Sequence, residues 1–128
     1  MLHHVTLEVS RPGAARFAEL LEAIGYAEVP VPETLGDGFR WFGREGTQVH
    51  LALAADPVAP TAGHAAFVVA PLEPVLSRLA ELGFAVEERR RHWGARRVLI
   101  AAPDGHRVEL MEAAPGGDGR PPPRRSSS

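Results

Sequence analysis

The strongest constraint on the fold is a repeat, because the two halves of the chain present the same order of predicted elements. Residues 2–9 alternate between apolar and polar side chains, as a half-buried strand does, and a helical stretch follows that ends at Gly25. The pattern restarts at His64, and its helical stretch ends at Gly83. Two copies are too few for a solenoid, so the repeat predicts a domain of two paired modules.

Each half is predicted to follow the order strand, helix, strand, strand, strand. Apolar residues at spacings of three and four mark the helices, from Phe17 to Ile24 and from Leu72 to Leu82. Strands are predicted over 2–9, 27–32, 39–43, 47–54, 64–70, 84–88, 96–101 and 107–112. The sequence therefore predicts an α+β domain in which two βαβββ modules form a cupped mixed sheet with the helices outside.

The predicted domain covers 1–113, with module one at 1–55 and module two at 62–113. The segment between them is rich in proline and alanine and reads as a linker. From Pro115 onward the composition is dominated by Gly, Pro, Arg and Ser. We expect 114–128 to be a disordered tail that takes no part in the chemistry.

Composition excludes several functions. The chain has no cysteine, which removes disulfides, thiolate zinc sites, iron–sulfur clusters and cysteine nucleophiles, and no lysine, which removes a Schiff base. The net charge of −2 gives no general attraction to nucleic acid or acidic membranes. No run approaches the roughly 18 apolar residues of a membrane span. Because the N-terminus also lacks the features of a signal peptide, we expect a cytoplasmic protein.

Four polar residues interrupt the alternating runs in a consistent way. His4, His50, His64 and Glu109 all fall on the strand face that is opposite the apolar core positions. His50 follows His4 by 46 residues, and Glu109 follows His64 by 45, so each half offers one candidate on its first strand and one on its last. Three imidazoles and a carboxylate suit a divalent Zn, Fe, Mn, Ni or Co ion. The pattern therefore predicts a metal site.

Further residues on the same face are candidates for the pocket around such a site. Glu8 shares its strand face with His4 and is a candidate general base. Arg107 is a candidate partner for an anionic substrate group. Apolar walls are expected from Phe39, Trp41 and Met111.

Two other histidines are expected on the core side of their strands. His3 and His106 both have the opposite parity from their neighbouring candidates, so neither is assigned to the site. Besides Arg107, only Arg40 and Arg97 are candidates for additional basic residues in the pocket.

The chain resembles the vicinal oxygen chelate superfamily, which includes glyoxalase I, fosfomycin-resistance enzymes, extradiol dioxygenases and bleomycin-binding proteins. The resemblance covers residues 2–112 and is carried by His4–Val9, Gln48–Leu51, Gly63–Val68 and Pro103–Leu110. The last of these pieces, with Pro-Asp-Gly followed by Glu-Leu, is the most specific. The resemblance implies paired βαβββ modules with a metal at the centre of an open barrel.

The resemblance also implies metal ligands at His4, His50, His64 and Glu109. Glyoxalase-like members usually have a glutamate at the position of His50, so the chain departs from that pattern there. Fosfomycin-resistance and dioxygenase members use two histidines and one glutamate, which match His4, His64 and Glu109. His50 is then either a fourth ligand or a residue that lines the pocket. Small members often complete their sites across a homodimer, and the sequence leaves an intrachain site and a shared site both open.

Three functions agree with these features. The first is a metal-dependent enzyme, a lyase, isomerase or dioxygenase, that chelates vicinal oxygens of a small substrate and stabilises an enolate or alkoxide. The second is a metal-dependent transferase or hydrolase that inactivates an antibiotic, and the third is a metal-free module that sequesters a drug. Buried imidazoles without partners are costly, which argues against the third. The small number of basic pocket residues argues against the second, so we expect the first.

Overall fold

The computed structural model describes residues 1–117 and Gly119, and it contains two four-stranded sheets. The first half consists of β1 (His4–Val9), α1 (Arg11–Ala23), β2 (Ala27–Val29), β3 (Phe39–Arg44) and β4 (Thr47–Leu53). The second half consists of β5 (Ala65–Val68), α2 (Glu73–Glu81), β6 (Val86–Arg89), β7 (Arg97–Ala101) and β8 (Arg107–Met111). This order confirms the predicted α+β fold of two βαβββ modules.

The two sheets have the same topology. Their strand orders are β1-β4-β3-β2 and β5-β8-β7-β6, and in each sheet the first strand is parallel to the last while the other pairs are antiparallel. The register places Thr6 opposite His50 in the first sheet and Ala66 opposite Glu109 in the second. His50 and Glu109 therefore occupy equivalent positions in the two modules.

Helix α1 begins and ends at the residues that the sequence indicated. The Ser10 hydroxyl accepts a hydrogen bond from the Gly13 N–H at 3.0 Å and so caps the helix, while Pro12 lies in the first turn. Gly25 follows the helix with φ of 100°, a left-handed conformation that glycine adopts without strain. The helix thereby presents its apolar stripe to the sheets.

One hydrophobic core serves both modules. It is formed by the helix-facing sides of the two sheets and by the apolar stripes of α1 and α2. Its largest fully buried side chains include Phe17, Leu20, Phe42, Leu51, Leu72, Leu79, Ile100 and Leu110. The face of each sheet that points away from the helices, here called the open face, is therefore left free of this core.

A turn before β8 fastens the second module to the first. Asp104 lies in a short 3-10 turn with φ of 58°, and its carboxylate accepts hydrogen bonds from the Ser10 N–H at 2.8 Å and from the Ser10 hydroxyl at 3.1 Å. Beside it, the buried His106 donates from Nε2 to the Glu8 carbonyl oxygen at 2.7 Å. We call this pair of contacts the clasp. The buried position of His106 agrees with its exclusion from the site.

The structure differs from the sequence-based expectations at several strand ends. The strand predicted over 27–32 stops at Val29, because Pro30 has no N–H to donate to the ladder, and a 3-10 turn follows at Glu33–Leu35. His64 lies just before β5 rather than inside it. His3 was expected on the core side, but it precedes β1 and is exposed.

The expected disordered tail, 114–128, falls mostly outside the described residues. Over the part that is described, 114–117 and Gly119 belong to neither a helix nor a strand. No helix within the described chain has both the length and the apolar character that a membrane crossing requires.

Candidate metal and substrate site

The site candidates lie on the two open faces, as the strand pairing shows. On the first sheet, β1 contributes His4 and Glu8, and the paired strands contribute Trp41 and His50. Trp41 pairs with His50 and Phe39 pairs with Ala52, so the four aligned positions share one face. On the second sheet the open face carries Arg97, Leu99, Arg107, Glu109 and Met111. The strand pairing therefore places these candidates on the open faces, while His64 precedes β5 and takes no part in the pairing.

On the first sheet, three aromatic rings form a stack. The His50 ring lies between Trp41 and His4, with ring centroids 3.9 Å from Trp41 at an interplanar angle of 3° and 4.2 Å from His4 at 19°. His50 Nε2 is 2.7 Å from Gln48 Oε1, and Nδ1 of His4 is 3.0 Å from Nδ1 of His3. We call Trp41, His50 and His4 the ring stack. It brings the two candidate ligands of module one into direct contact.

The surroundings of His50 favour its neutral form. Burial lowers the pKa of the His50 imidazole, and the neighbouring His4 and His3 lower it further, because each disfavours a second positive charge nearby. A neutral imidazole can bind a metal or stack against other rings without the cost of a buried charge. The ring stack therefore favours the unprotonated form of His50.

On the second sheet, His64 and Glu109 form a pair. His64 Nε2 lies 3.1 Å from Glu109 Oε1, and the glutamate side chain is 7% exposed while the histidine side chain is 37% exposed. The Arg97 guanidinium contacts the same carboxylate, with its Nε 3.0 Å from Oε2. Arg97 lowers the pKa of Glu109 despite the opposing effect of burial, and His64 contributes in the same direction. Glu109 is therefore held as a carboxylate at neutral pH.

The sequence named Arg97 only as a candidate basic residue of the pocket and did not predict its contact with Glu109. Arg97 Nη1 donates to the Arg90 carbonyl oxygen at 2.8 Å, and its guanidinium lies 5.6 Å from the centroid of the Trp93 ring. The register offered a signal, because Arg97 pairs with Met111 and therefore shares a face with Glu109. The alternation alone could not show that its side chain would reach back to that carboxylate.

The two clusters remain separate within one chain. His4 and His64 both border a groove of about 380 Å³ between β1 and β5. Yet no three His, Asp or Glu side chains among the described residues come close enough to hold a metal ion together. The chain thus presents two half-sites, the His4–His50 pair on one open face and the His64–Glu109 pair on the other.

The remaining candidates take positions around these half-sites. Glu8 is exposed on the open face of β1. Arg107 is also exposed, and its Nη2 donates to the Thr61 carbonyl oxygen of the linker at 2.9 Å. Phe39 and Trp41 are half-buried on the first sheet, and Met111 is buried on the second.

The donor set of the second half-site matches a divalent ion in its chemistry. An imidazole nitrogen and a carboxylate oxygen, 3.1 Å apart, are ligand types that Zn²⁺, Fe²⁺ and Mn²⁺ accept. His4 is the third donor of the right type, since its contact with His3 involves Nδ1 and leaves Nε2 uncommitted. His64 and Glu109 therefore have the chemistry to hold a divalent ion once a third ligand, such as His4, joins them.

Comparisons with known proteins agree with the fold. A glyoxalase-family protein from Bacillus anthracis matches with a TM-score of 0.75 at 25% identity, covering 87% of this chain and 93% of its own. The fosfomycin resistance protein FosX from Listeria monocytogenes has a TM-score of 0.70 at 21% identity, covering 89% and 91%. An oxidase matches with a TM-score of 0.69 at 23% identity, covering 93% and 98%.

Sequence comparisons identify the family. No curated protein matches the chain at a significant level. A family model matches residues 3–110, which span both modules and include all four candidate metal ligands. The chain belongs to the Glyoxalase/Bleomycin resistance protein/Dioxygenase superfamily.

Proposed function

We propose that the protein is a metal-dependent enzyme that acts on a small substrate with two neighbouring oxygens. The observation that carries this proposal is the contact between His64 and Glu109, 3.1 Å apart on an open face, with the carboxylate held ionised by Arg97. A buried carboxylate next to an imidazole suits cation binding better than it suits a purely apolar pocket.

We propose that the site is shared between two copies of the chain in a homodimer. Among the residues that the structure describes in one chain, none joins His64 and Glu109 as the third ligand that a divalent ion needs. His4 lies at the corresponding position of the other module and is exposed. His4 of the partner subunit would join His64 and Glu109, and a twofold axis would produce the second site from the same residues.

The open faces also support a dimer. Trp41 Nε1 is buried and has no hydrogen-bond partner among the described residues, and Phe39 beside it is half-buried. On the second sheet, Val68 is 44% exposed next to the buried Met111. If two such sheets faced each other in the dimer, they would enclose these apolar groups. The groups would then form the wall of a pocket that excludes water.

Each residue then has a distinct role. An ion held by His4, His64 and Glu109 would supply Lewis-acid stabilisation of charge that develops on the neighbouring substrate oxygens. Glu8, exposed on the same face as His4, would accept a proton from the substrate. Arg107 would pair with an anionic substrate group, and its Thr61 contact holds it near the linker.

Arg97 bears on the choice between the possible functions. Its guanidinium is already engaged by Glu109, so Arg107 is the basic residue of the second open face that remains available to a substrate. A strongly anionic antibiotic would need more positive charge than this. A metal-free drug-binding module would have no need of the His64 imidazole beside the ionised Glu109 carboxylate. Both observations favour lyase, isomerase or dioxygenase chemistry.

Elemental analysis of the purified, untagged protein tests the proposal. We expect about one Zn, Fe, Mn, Ni or Co ion per chain, because a homodimer would contain two equivalent sites. His64→Ala and Glu109→Ala should each lose the metal. His64→Ala should do so with little change in melting temperature, because His64 lies outside the shared core, whereas Glu109→Ala should also lower the melting temperature because Arg97 loses its partner.

His92→Ala is the matched control, because His92 is exposed in the loop before β7 and should leave the metal content unchanged. A wild-type protein that stays metal-free after incubation with each of these ions would contradict the proposal. So would a metal that all three variants retain.

A further inference from the structure

We infer that His50 is a positioning residue that orients the ring of His4, and that it is not itself a metal ligand. The inference rests on the proposed function, since it concerns how one ligand of the proposed site is prepared. It concerns the position that the sequence left open as either a fourth ligand or a residue that lines the pocket. Three features of the ring stack carry it.

First, both faces of the His50 ring are covered. Trp41 lies against one face at 3.9 Å and His4 lies at 4.2 Å against the other, since two nearly parallel rings cannot occupy the same face. The residue is 6% exposed. Stacked aromatic rings of this kind fix each other's plane and stabilise the arrangement.

Second, the edge of the His50 ring is committed to a neighbouring side chain. Nε2 of His50 donates to Gln48 Oε1 at 2.7 Å, because a carbonyl oxygen can only accept. Gln48 is two residues earlier on β4 and points to the same open face. The hydrogen bond fixes the rotation of the His50 ring within the stack and engages Nε2, the nitrogen at the far end of the imidazole.

Third, His4 needs the support that His50 gives. It is the first residue of β1, it is exposed, and β1 is an edge strand of its sheet. The stack fixes the plane of the His4 ring, and the contact with His3 engages Nδ1 at 3.0 Å. Nε2 of His4 is then the nitrogen left for an ion. A metal-binding histidine is usually oriented in this way, by a hydrogen bond from its other ring nitrogen to a neighbouring group.

Trp41 supports the His50 ring from the face opposite His4. It lies on β3, across β4 from β1, and its ring is nearly parallel to that of His50 at an angle of 3°. The stack therefore crosses three adjacent strands. It holds the exposed His4 ring in place against the sheet. Because the tryptophan covers His50, the His50 ring cannot move away from His4 without disturbing the sheet face.

The first test uses the metal-free protein, so it does not depend on the proposed function. Ring protons of His4, observed by NMR in protein with 13C-labelled histidine and assigned with His4→Gln, should be shifted upfield by the stacked ring. His50→Phe keeps an aromatic ring and should preserve most of the shift. His50→Ala should move the His4 signals to the positions of an exposed histidine. Unchanged His4 signals in His50→Ala would overturn the inference.

The second test measures metal affinity by calorimetry with Zn²⁺ and Mn²⁺. Loss of a group that orients a ligand typically costs about 10- to 100-fold in affinity, which we expect for His50→Ala. His50→Phe should stay within about threefold of the wild type, because it keeps the stack and lacks only the nitrogens. Gln48→Ala removes the hydrogen bond but not the ring, and it should fall between the two.

The outcomes separate this inference from the proposed function. Equal loss of metal affinity in His50→Phe and His50→Ala, with His4 signals unchanged in both variants, would make His50 a ligand. That result would overturn this inference but not the proposed function. A lower melting temperature in His50→Ala with full metal affinity would reduce its role to packing and also overturn it. A wild type that binds no metal while the NMR result holds would contradict the proposed function and leave the positioning of His4 supported.

Discussion

At the scale of single residues, two contacts keep the Glu109 carboxylate of the second half-site ionised. Arg97 holds Glu109 ionised, and His64 adds a hydrogen bond from the other side. Either contact would be weak at an exposed position, but the Glu109 side chain is 7% exposed. Its carboxylate is therefore ionised in the metal-free protein.

Replacing Arg97 should change the protonation of Glu109. Arg97→Gln removes the main cause of the lowered Glu109 pKa and leaves burial to act in the opposite direction. We therefore expect the Glu109 pKa to rise in the metal-free variant, as measured by NMR of the side-chain carboxyl carbon. Arg97→Lys keeps the charge and should show a smaller rise. A Glu109 pKa that is the same in wild type and Arg97→Gln would contradict this account.

The His50 imidazole should make stability depend on pH. Its pKa is lowered from 6.5 in the folded protein, so the unfolded chain binds more protons in this range. The stabilising contribution is present above about pH 6.5 and is lost as the pH falls toward the folded-state pKa. Urea denaturation of the metal-free protein between pH 5 and 8 should show this slope, and His50→Phe should reduce it. An equal slope in His50→Phe, with His92→Ala as control, would show that other groups cause it.

The sequence alone predicted the strand face of some site residues but not their side-chain contacts. The face of His4, His50 and Glu109 followed from strand alternation, because the side-chain period in a strand leaves only two choices, whereas His64 lies just before its strand. The ring stack and the Arg97 contact depend on strand neighbours and on long side chains that reach across the sheet. Those are set by register and rotamers, which a pattern of polar and apolar residues does not encode.

At the scale of elements, the clasp is one of the contacts that join the two modules outside the core. Asp104 receives two hydrogen bonds from Ser10, which itself caps α1, so one carboxylate connects the β7–β8 turn to the start of the helix. The fit is close, because a Cβ at Gly13 would lie 2.0 Å from Asp104 Oδ2. The turn residues Pro103 to Gly105 predicted a turn but not its partner, which is 94 residues away.

Removing the clasp should destabilise the whole fold. Asp104→Ala leaves the Ser10 N–H without its acceptor and places alanine at a left-handed position, which together should cost about 1–3 kcal/mol of unfolding free energy. Chemical denaturation monitored by circular dichroism measures this loss. Asp104→Asn should lose less, since its amide oxygen still accepts a hydrogen bond and asparagine tolerates this conformation. Asp37→Ala, at an exposed loop position, is the control. Equal stability in Asp104→Ala and Asp37→Ala would show that the clasp contributes nothing.

At the scale of the whole molecule, the repeat explains why the site is divided. Equivalent strands give each module one histidine near the start of its first strand and one ligand-type residue on its last. The modules share a core on their helix side, and the two open faces lie outside this core. The sequence predicted the modules because their periodicity is local. It could not decide how the open faces meet, because that depends on the packing of complete sheets.

Metal complementation in a mixed dimer tests the shared site most directly. His4→Ala and Glu109→Ala chains, each with a different affinity tag, are co-expressed, and the heterodimer is purified and analysed for metal. Neither variant alone should bind. In the heterodimer, His4 of the Glu109→Ala chain faces the intact His64 and Glu109 of the other chain, so we expect about one metal ion per dimer. A metal-free heterodimer, beside a wild-type dimer that binds two ions, would contradict the shared site.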